Sequence, residues 1–166
     1  MSDTVYVTNL GGALGYGLTG GYSVGQTLAV SATNSQNSLA SKTTVTASYA
    51  TLASLSLAAG TWLVIGHASV GADNLSAALA QSGIFGLRLF DGTNAIASCH
   101  GSVGTEATTF SAQLTSASIV GVVTLASAAT VSLQIDGSTT LAAYHQEQGS
   151  GATTGNATRI SAVRIA

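Results

Sequence analysis

Apolar side chains in residues 43–166 recur mostly in short runs whose spacing fits strands rather than helices. In one run Val131, Leu133 and Ile135 alternate with polar side chains, which is the two-residue period of a half-buried strand. A helix needs an apolar period near 3.6 residues, and only residues 72–81 carry leucines spaced in that way. The pattern predicts an all-β fold, in which residues 72–81 form a loop with one helical turn.

Turn residues separate the runs at intervals that suit a β-sandwich. Asp91-Gly92 and Asp136-Gly137 each follow an apolar run. Asp-Gly is a strong hairpin signal because glycine adopts a positive φ without steric cost. Both faces of the predicted strand over residues 84–91 carry bulky side chains. The ten predicted strands cover residues 44–50, 53–57, 61–70, 84–91, 95–100, 108–114, 118–125, 129–136, 140–146 and 158–165.

The first 42 residues differ in composition from the rest. Seven glycines fall within residues 11–25, too many for a helix or a well-packed strand. Residues 31–41 are polar and resemble a linker. We therefore predict two parts: a Gly/Ser-rich anchor or attachment segment over residues 1–42 and a β-sandwich head domain over residues 43–166.

Charge is scarce along the whole chain. Of 166 residues, four are basic and six acidic, for a formal net charge of −2, whereas about 25% of an ordinary domain is charged. Binding to nucleic acid is excluded because phosphate contacts need clustered lysine and arginine. Hydroxyl groups keep a surface soluble less well than charges do, and 46% of the residues are apolar. This composition predicts an oligomer that covers part of its surface, within a larger particle.

The sequence also lacks the patterns of a membrane-spanning segment and of a dinucleotide-binding site. No apolar run approaches the roughly 20 residues that span a bilayer, so membrane insertion is not expected. Residues 15–20 fit G-x-G-x-x-G literally, but no helix pattern follows and no acid occurs between Asp3 and Asp73. A dinucleotide site needs both. We expect no cofactor.

Metal binding and catalysis lack their residue patterns as well. The histidines His67, His100 and His145 do not have the spacing of metal ligands. The lone cysteine, Cys99, precedes His100, but adjacent strand residues point to opposite faces, so they cannot form a nucleophile–base pair. Glycosidases need two carboxylates across one cleft, and two of the six acids are turn residues. We therefore expect neither a metal site nor an enzyme.

Three stretches carry a pattern known from other proteins. Residues 60–64 read Gly-Thr-Trp-Leu-Val within an apolar run over residues 49–70, residues 88–93 read R-L-F-D-G-T, and residues 157–165 form a final strand. Together they resemble trimeric jelly-roll heads of the C1q/TNF-like type, which occur on bacteriophage fibres and some bacterial surface filaments. The resemblance covers about residues 45–166. It implies an antiparallel jelly-roll sandwich preceded by a Gly-rich N-terminal extension.

The resemblance also implies an assembly and a location. Such heads are homotrimers whose protomers pack strand faces along a three-fold axis, at the exposed surface of a virion or cell. No collagen-like stalk or fibre shaft precedes this head, so we expect residues 1–42 to attach it directly to capsid or tail proteins. Tyr6, Tyr16 and Tyr22 are the candidate attachment residues because tyrosine is favoured at interfaces. The expected function is a virion structural protein: a fibre, spike or decoration head that aids host adhesion.

Two other functions stay open at this stage. One is a carbohydrate-binding module with Trp62, Tyr144 or His145 on a groove, and the other is the head of a bacterial surface filament. Trp62, the single tryptophan, is expected to pack inside the sandwich, as aromatic side chains in such cores commonly do. Tyr144 and His145 are therefore the candidate residues for recognising a host surface glycan.

Overall fold

The computed structural model describes residue 25 and residues 27–31, 42–72, 83–104, 115–144 and 158–166. Within these ranges the chain forms strands and turns and has no helix. Accordingly, none of them contains a helix that could cross a membrane. The strands are β1 (Thr27–Ser31), β2 (Lys42–Thr44), β3 (Ala50–Leu57), β4 (Gly60–Ala72), β5 (Gly83–Phe90), β6 (Ala95–Val103), β7 (Thr115–Leu125), β8 (Ala129–Gly137), β9 (Leu141–Tyr144) and β10 (Arg159–Arg164).

These strands form two antiparallel sheets that pack face to face. In the first sheet the order is β1-β10-β4-β9-β2, and β7 pairs with the opposite edge of β4. In the second sheet the order is β3-β8-β5-β6. The long strand β4 holds the first sheet together, because β10 and β9 pair with successive parts of one edge while β7 pairs along the other.

The pairing of eight of these strands defines a jelly roll. Apart from the short strands β2 and β9, the chain pairs like one long hairpin with β5 and β6 at its tip. Outward from the tip, β4 pairs with β7, β3 with β8, and β1 with β10. Successive pairs fall in alternate sheets, as they do when such a hairpin rolls into a jelly roll. The predicted antiparallel jelly-roll sandwich is confirmed.

The core lies between the two sheets, where the inward side chains of both interdigitate. Trp62 is fully buried there, as expected from the sequence, and its Nε1 donates a hydrogen bond of 3.0 Å to the carbonyl oxygen of Ala58. Gly66 of β4 permits close packing, because a Cβ atom there would lie 2.6 Å from Cδ1 of Leu133. The largest other fully buried side chains are Phe85, Leu57, Leu87, Leu89, Leu133, Ile135, Leu141 and Ile160.

One predicted strand, over residues 44–50, is wrong as a single element. The chain leaves the first sheet after Thr44 and enters the second at Ala50, so it has to bend between them. The bend is fixed by backbone hydrogen bonds of 2.9 Å from Val45 N to Leu141 O and from Gly137 N to Thr46 O. The sequence gives no glycine here to mark the crossing.

The structure also adds a strand that the sequence analysis did not predict. β1 lies within the N-terminal segment yet pairs with β10 in the first sheet, and Gly25 N donates to Arg164 O at 2.8 Å. The boundary at residue 42 stays a prediction, with the addition that residues 27–31 are hydrogen-bonded into the sandwich. The predicted strand over 108–114 and nearly all of the segment 72–81 lie outside the described residues.

Candidate functional surfaces

The outward side of the first sheet carries apolar side chains. Successive residues of a strand point to opposite faces, so the buried Trp62 and Val64 of β4 place Leu63 and Ile65 outward. The same alternation places outward residues on β7 and β10. We call this surface the apolar face; its apolar residues on β4, β7 and β10 are Leu63, Ile65, Val120, Val122 and Val163.

Strand register makes these side chains neighbours. Leu63 lies opposite Val122 on one side and Val163 on the other, and Ile65 lies opposite Val120. Cβ atoms of directly paired residues are about 4.5–5.5 Å apart, so the five form one contiguous patch. Val120 and Val122 are each 56% exposed and Ile65 is 37% exposed. Exposed contiguous apolar patches are common at protein–protein interaction sites when they are large.

Polar groups border the apolar face at both ends. The hydroxyls of Thr61 and Thr124 are 3.1 Å apart at one end. At the other end Nδ1 of His67 is 3.0 Å from the Ser118 hydroxyl, and Arg159 lies opposite His67. Both acidic residues that the structure describes belong to the second sheet and its β5–β6 turn. A second copy of the chain therefore meets no described carboxylate on the apolar face.

The outward side of the second sheet carries mainly hydroxyl groups on β3 and β8, together with the apolar side chain of Ile84 on β5, which is 70% exposed. Ser54 and Ser56 of β3 are exposed opposite Ser132 and Thr130 of β8. We call this surface the polar face. Along β3 and β8 the outer face is thus polar, whereas along β4 and β7 it is largely apolar, although serine, threonine and valine occur throughout the sequence.

Two aromatic rings and one arginine form a cluster on the polar face. The guanidinium carbon of Arg88 lies 3.7 Å from the ring centroid of Tyr49 and 4.3 Å from that of Phe90. Nε of Arg88 donates a hydrogen bond of 2.7 Å to Oε1 of Gln134, and Nε2 of Gln134 donates one of 3.3 Å to the Thr51 hydroxyl. Each cation–π contact stabilises an exposed arginine by about 0.5–1 kcal/mol, so this cluster holds the guanidinium in place.

The turn between β5 and β6 owes its shape to Asp91. Its Oδ1 accepts hydrogen bonds from the backbone N–H groups of Asn94 at 2.6 Å and Thr93 at 2.8 Å, and Gly92 supplies the positive φ of 97°. These backbone donors lower the pKa of Asp91 below its ordinary value, because they stabilise the charged carboxylate. The predicted turn role of Asp91-Gly92 is confirmed.

Cys99 and His100 lie on opposite sides of β6. Cys99 packs half-buried against the core, where burial raises the pKa of its thiol, while His100 is exposed. The two side chains are therefore apart, as the alternation predicts. In the described part of the chain, no three histidine, cysteine or acidic residues come together as metal ligands would.

The residues predicted for attachment and recognition fall mostly outside the described ranges. Tyr6, Tyr16, Tyr22 and His145 all lie there. Tyr144 is the last residue of β9, where its backbone is paired with Lys42 of β2 and Ser69 of β4. Their functional roles stay predictions.

Sequence reasoning missed both surfaces that the structure brings together. For the apolar face a signal was present: residues 61–65 and 119–123 are apolar almost without interruption, which indicates strands covered on both sides. For the Arg88 cluster, the sequence showed that both faces of β5 carry bulky residues. The contact with Tyr49 could not be predicted, because Tyr49 comes from an earlier segment and reaches Arg88 only in the folded structure.

Compared by sequence, the chain matches no protein family and no curated protein. Compared by structure, it is similar to a chain of infectious bursal disease virus Gx strain, with TM-score 0.41 and 19% identity over 85% of this chain and 38% of that one. A chain of the T13 particle of the same virus gives TM-score 0.43 and 14% identity over 95% and 34%. The VP2 subviral particle of that virus gives 0.39 and 17% over 85% and 37%.

These similar chains come from virus and subviral particles, and this chain spans between 34 and 38% of their length. Each identity is below one residue in five. Likeness at this level assigns no function to the chain.

Proposed function

We propose that this protein is a non-enzymatic structural component of a virion, the surface-exposed head of a homotrimeric fibre, spike or decoration. In this proposal residues 1–42 attach the head to capsid or tail proteins, and the outer surface aids host adhesion. The observation that carries the proposal is the apolar face, where Val120 and Val122 are each 56% exposed. The chain has only ten charged residues in 166, so few charges are available to keep an exposed apolar surface soluble.

Self-association through the apolar face would cover these side chains. Fully burying a valine or isoleucine stabilises by about 1.5–3 kcal/mol, so covering the half-exposed Ile65, Val120 and Val122 contributes on the order of 1 kcal/mol each. The contribution of Leu63 and Val163 is smaller because they are already half-buried in the single chain. The same patch on every copy suits a closed symmetric assembly.

The number of copies comes from the resemblance to trimeric jelly-roll heads. The residues that carry it lie on strands and a turn of the sandwich: residues 60–64 open β4, residues 88–93 end β5 and form its turn, and residues 157–165 contain β10. Of these elements, β4 and β10 belong to the sheet with the apolar face. Three copies that meet through this sheet would leave the polar face outward, toward a host surface.

Light scattering coupled to size exclusion tests the assembly. We expect the full chain to elute with three times its 16.3 kDa mass. The double variant Val120→Lys/Val122→Lys should be a folded monomer, because each lysine would place a charge in the interface. A wild-type monomer at micromolar concentration contradicts the proposal.

A matched control separates the interface from a general effect of added charge. Ser54→Lys/Ser56→Lys adds the same two charges at exposed strand positions of the polar face. It should remain a trimer. If both double variants dissociate equally, the apolar face is not the interface.

A further inference from the structure

The Arg88 cluster has unused hydrogen-bonding capacity. A guanidinium has five N–H donors, and Gln134 takes the one on Nε. In the ranges that the structure covers, the two terminal nitrogens of Arg88 meet no acceptor and no carboxylate. Arg88 is one of only four basic residues in the chain, and Tyr49 and Phe90 are two of its nine aromatic ones.

The contacts around Arg88 also prepare it for a ligand. Two rings lie against the guanidinium and the Gln134 amide holds its Nε, so the side chain is ordered before anything binds. Preordering removes an entropic cost of association. A planar guanidinium with terminal N–H groups available matches the two oxygens of a carboxylate in a bidentate pair.

The neighbouring groups indicate what carries that carboxylate. Tyr49 is 36% exposed even with Arg88 against its ring, and we expect the exposed part of this side chain to contact the C–H face of a sugar. Asp136 lies opposite Gly86 in the next outward row of the sheet, about 7 Å along β5 from Arg88. Its carboxylate repels a bare anion but accepts hydrogen bonds from hydroxyl groups.

We propose that the Arg88 cluster binds an acidic saccharide, with the sugar carboxylate on Arg88, the pyranose ring against Tyr49 and a hydroxyl group on Asp136. The site lies on the polar face, away from the apolar face. It deepens the adhesion part of the proposed function and rests on it for its biological role, while binding is measured independently of assembly.

Calorimetry with oligogalacturonate tests the site, and the fully methyl-esterified oligosaccharide supplies the same sugar rings without charge. We expect the acid to bind and the ester to bind at least about tenfold more weakly, the loss that follows from removing a charged hydrogen bond. Rising salt should weaken the acid form because exposed charges are screened. Equal binding of acid and ester, or no binding of the acid, overturns the proposal.

Variants assign the binding to this cluster. Arg88→Lys keeps the positive charge but loses the planar pair of N–H donors that a carboxylate binds, so it should weaken binding about tenfold or more. Tyr49→Ala, outside any strand, removes the ring without touching sheet hydrogen bonds and should also weaken it. Lys42→Gln removes one positive charge elsewhere and should bind like wild type. Wild-type affinity in both Arg88→Lys and Tyr49→Ala overturns the site.

Two further readouts keep the outcomes distinct. Inorganic sulfate should compete only poorly, because it offers Asp136 no hydroxyl donor; sulfate binding as tight as that of the oligosaccharide shows a simple anion site and overturns the saccharide assignment. Light scattering on the same samples reports assembly. If the protein is a trimer that does not bind the oligosaccharide, this inference alone is refuted. If it is a monomer that binds the oligosaccharide, the proposed trimer alone is refuted.

Discussion

Individual charged residues in this protein act on their immediate surroundings. Asp91 fixes one turn through two backbone donors, and Arg88 is held by two rings and an amide. Arg164 is only 5% exposed; its Nε donates to Ala166 O at 3.2 Å, and it lies 5.9 Å from the Trp62 ring. Gly60 makes room for it, since a Cβ atom there would lie 2.8 Å from an arginine nitrogen.

The lowered pKa of Asp91 predicts an acid-dependent loss of stability. Because the folded state depresses this pKa below the ordinary 3.8, the stabilisation is present above pH about 4 and disappears as the pH falls through the folded value. Asp91→Asn should therefore be less stable than wild type at pH 7, and the difference should shrink below pH 4. Urea unfolding from pH 7 to pH 2.5 measures it. If the difference in unfolding free energy between wild type and Asp91→Asn stays constant over this pH range, the Asp91 carboxylate does not stabilise the turn through its charge.

Strands differ in how much of their environment the sequence reveals. The alternation in β8 predicted both the strand and its buried face, because its outward residues are polar and its inward ones apolar. In β4 and β7 both faces are apolar, so the strands were predictable but the outward residues were not. Their assignment depends on which side meets the second sheet. The positions of the candidate attachment residues Tyr6, Tyr16 and Tyr22 are even less predictable from sequence, because no apolar periodicity surrounds them.

Glycine at the end of β8 supplies a prediction about backbone geometry. Gly137 has φ 134°, and a Cβ atom there would collide with the carbonyl oxygen of Ile84 and lie 2.8 Å from Cα of Phe85. Gly137→Ala should therefore cost both backbone strain and a backbone shift, together about 3 kcal/mol or more. Urea unfolding at one fixed protein concentration measures the loss.

Gly92 is the matched control for this substitution. It also has a positive φ, of 97°, but a Cβ atom there would meet no heavy atom within 4 Å. Gly92→Ala should cost only the strain, about 1–2 kcal/mol. Equal losses for the two variants would mean that the approach of β5 to Gly137 is not rigid.

At the scale of the whole molecule, the N-terminal segment belongs partly to the sandwich. β1 pairs with β10 along its full length, so residues 27–31 contribute to the first sheet. The composition of residues 1–42 pointed to an attachment segment but not to this strand, because the alternation of Leu28 and Val30 with smaller or polar residues extends over only five positions. Truncation can therefore distinguish the proposed attachment segment from the strand that belongs to the first sheet.

Two truncations test this separation. Deleting residues 1–24 removes Tyr6, Tyr16 and Tyr22 and keeps β1, so the trimer and its melting temperature should persist while incorporation into particles is lost. Deleting residues 1–42 also removes β1 and the first residue of β2, which leaves the β10 edge unpaired. That form should melt several degrees lower and aggregate more readily. Particle incorporation that survives the shorter deletion refutes the attachment role.

The position of β10 sets the order in which the chain is able to fold during synthesis. β10 lies between β1 and β4 in the first sheet, and these two strands come from the earlier part of the chain. Until β10 has been synthesised, β1 lacks the strand that it pairs with among the described residues, and residues 62–67 of β4 lack the partner on one of their two edges. We therefore expect the first sheet to be completed late, as is usual for a protein whose contacts are mostly distant along the chain.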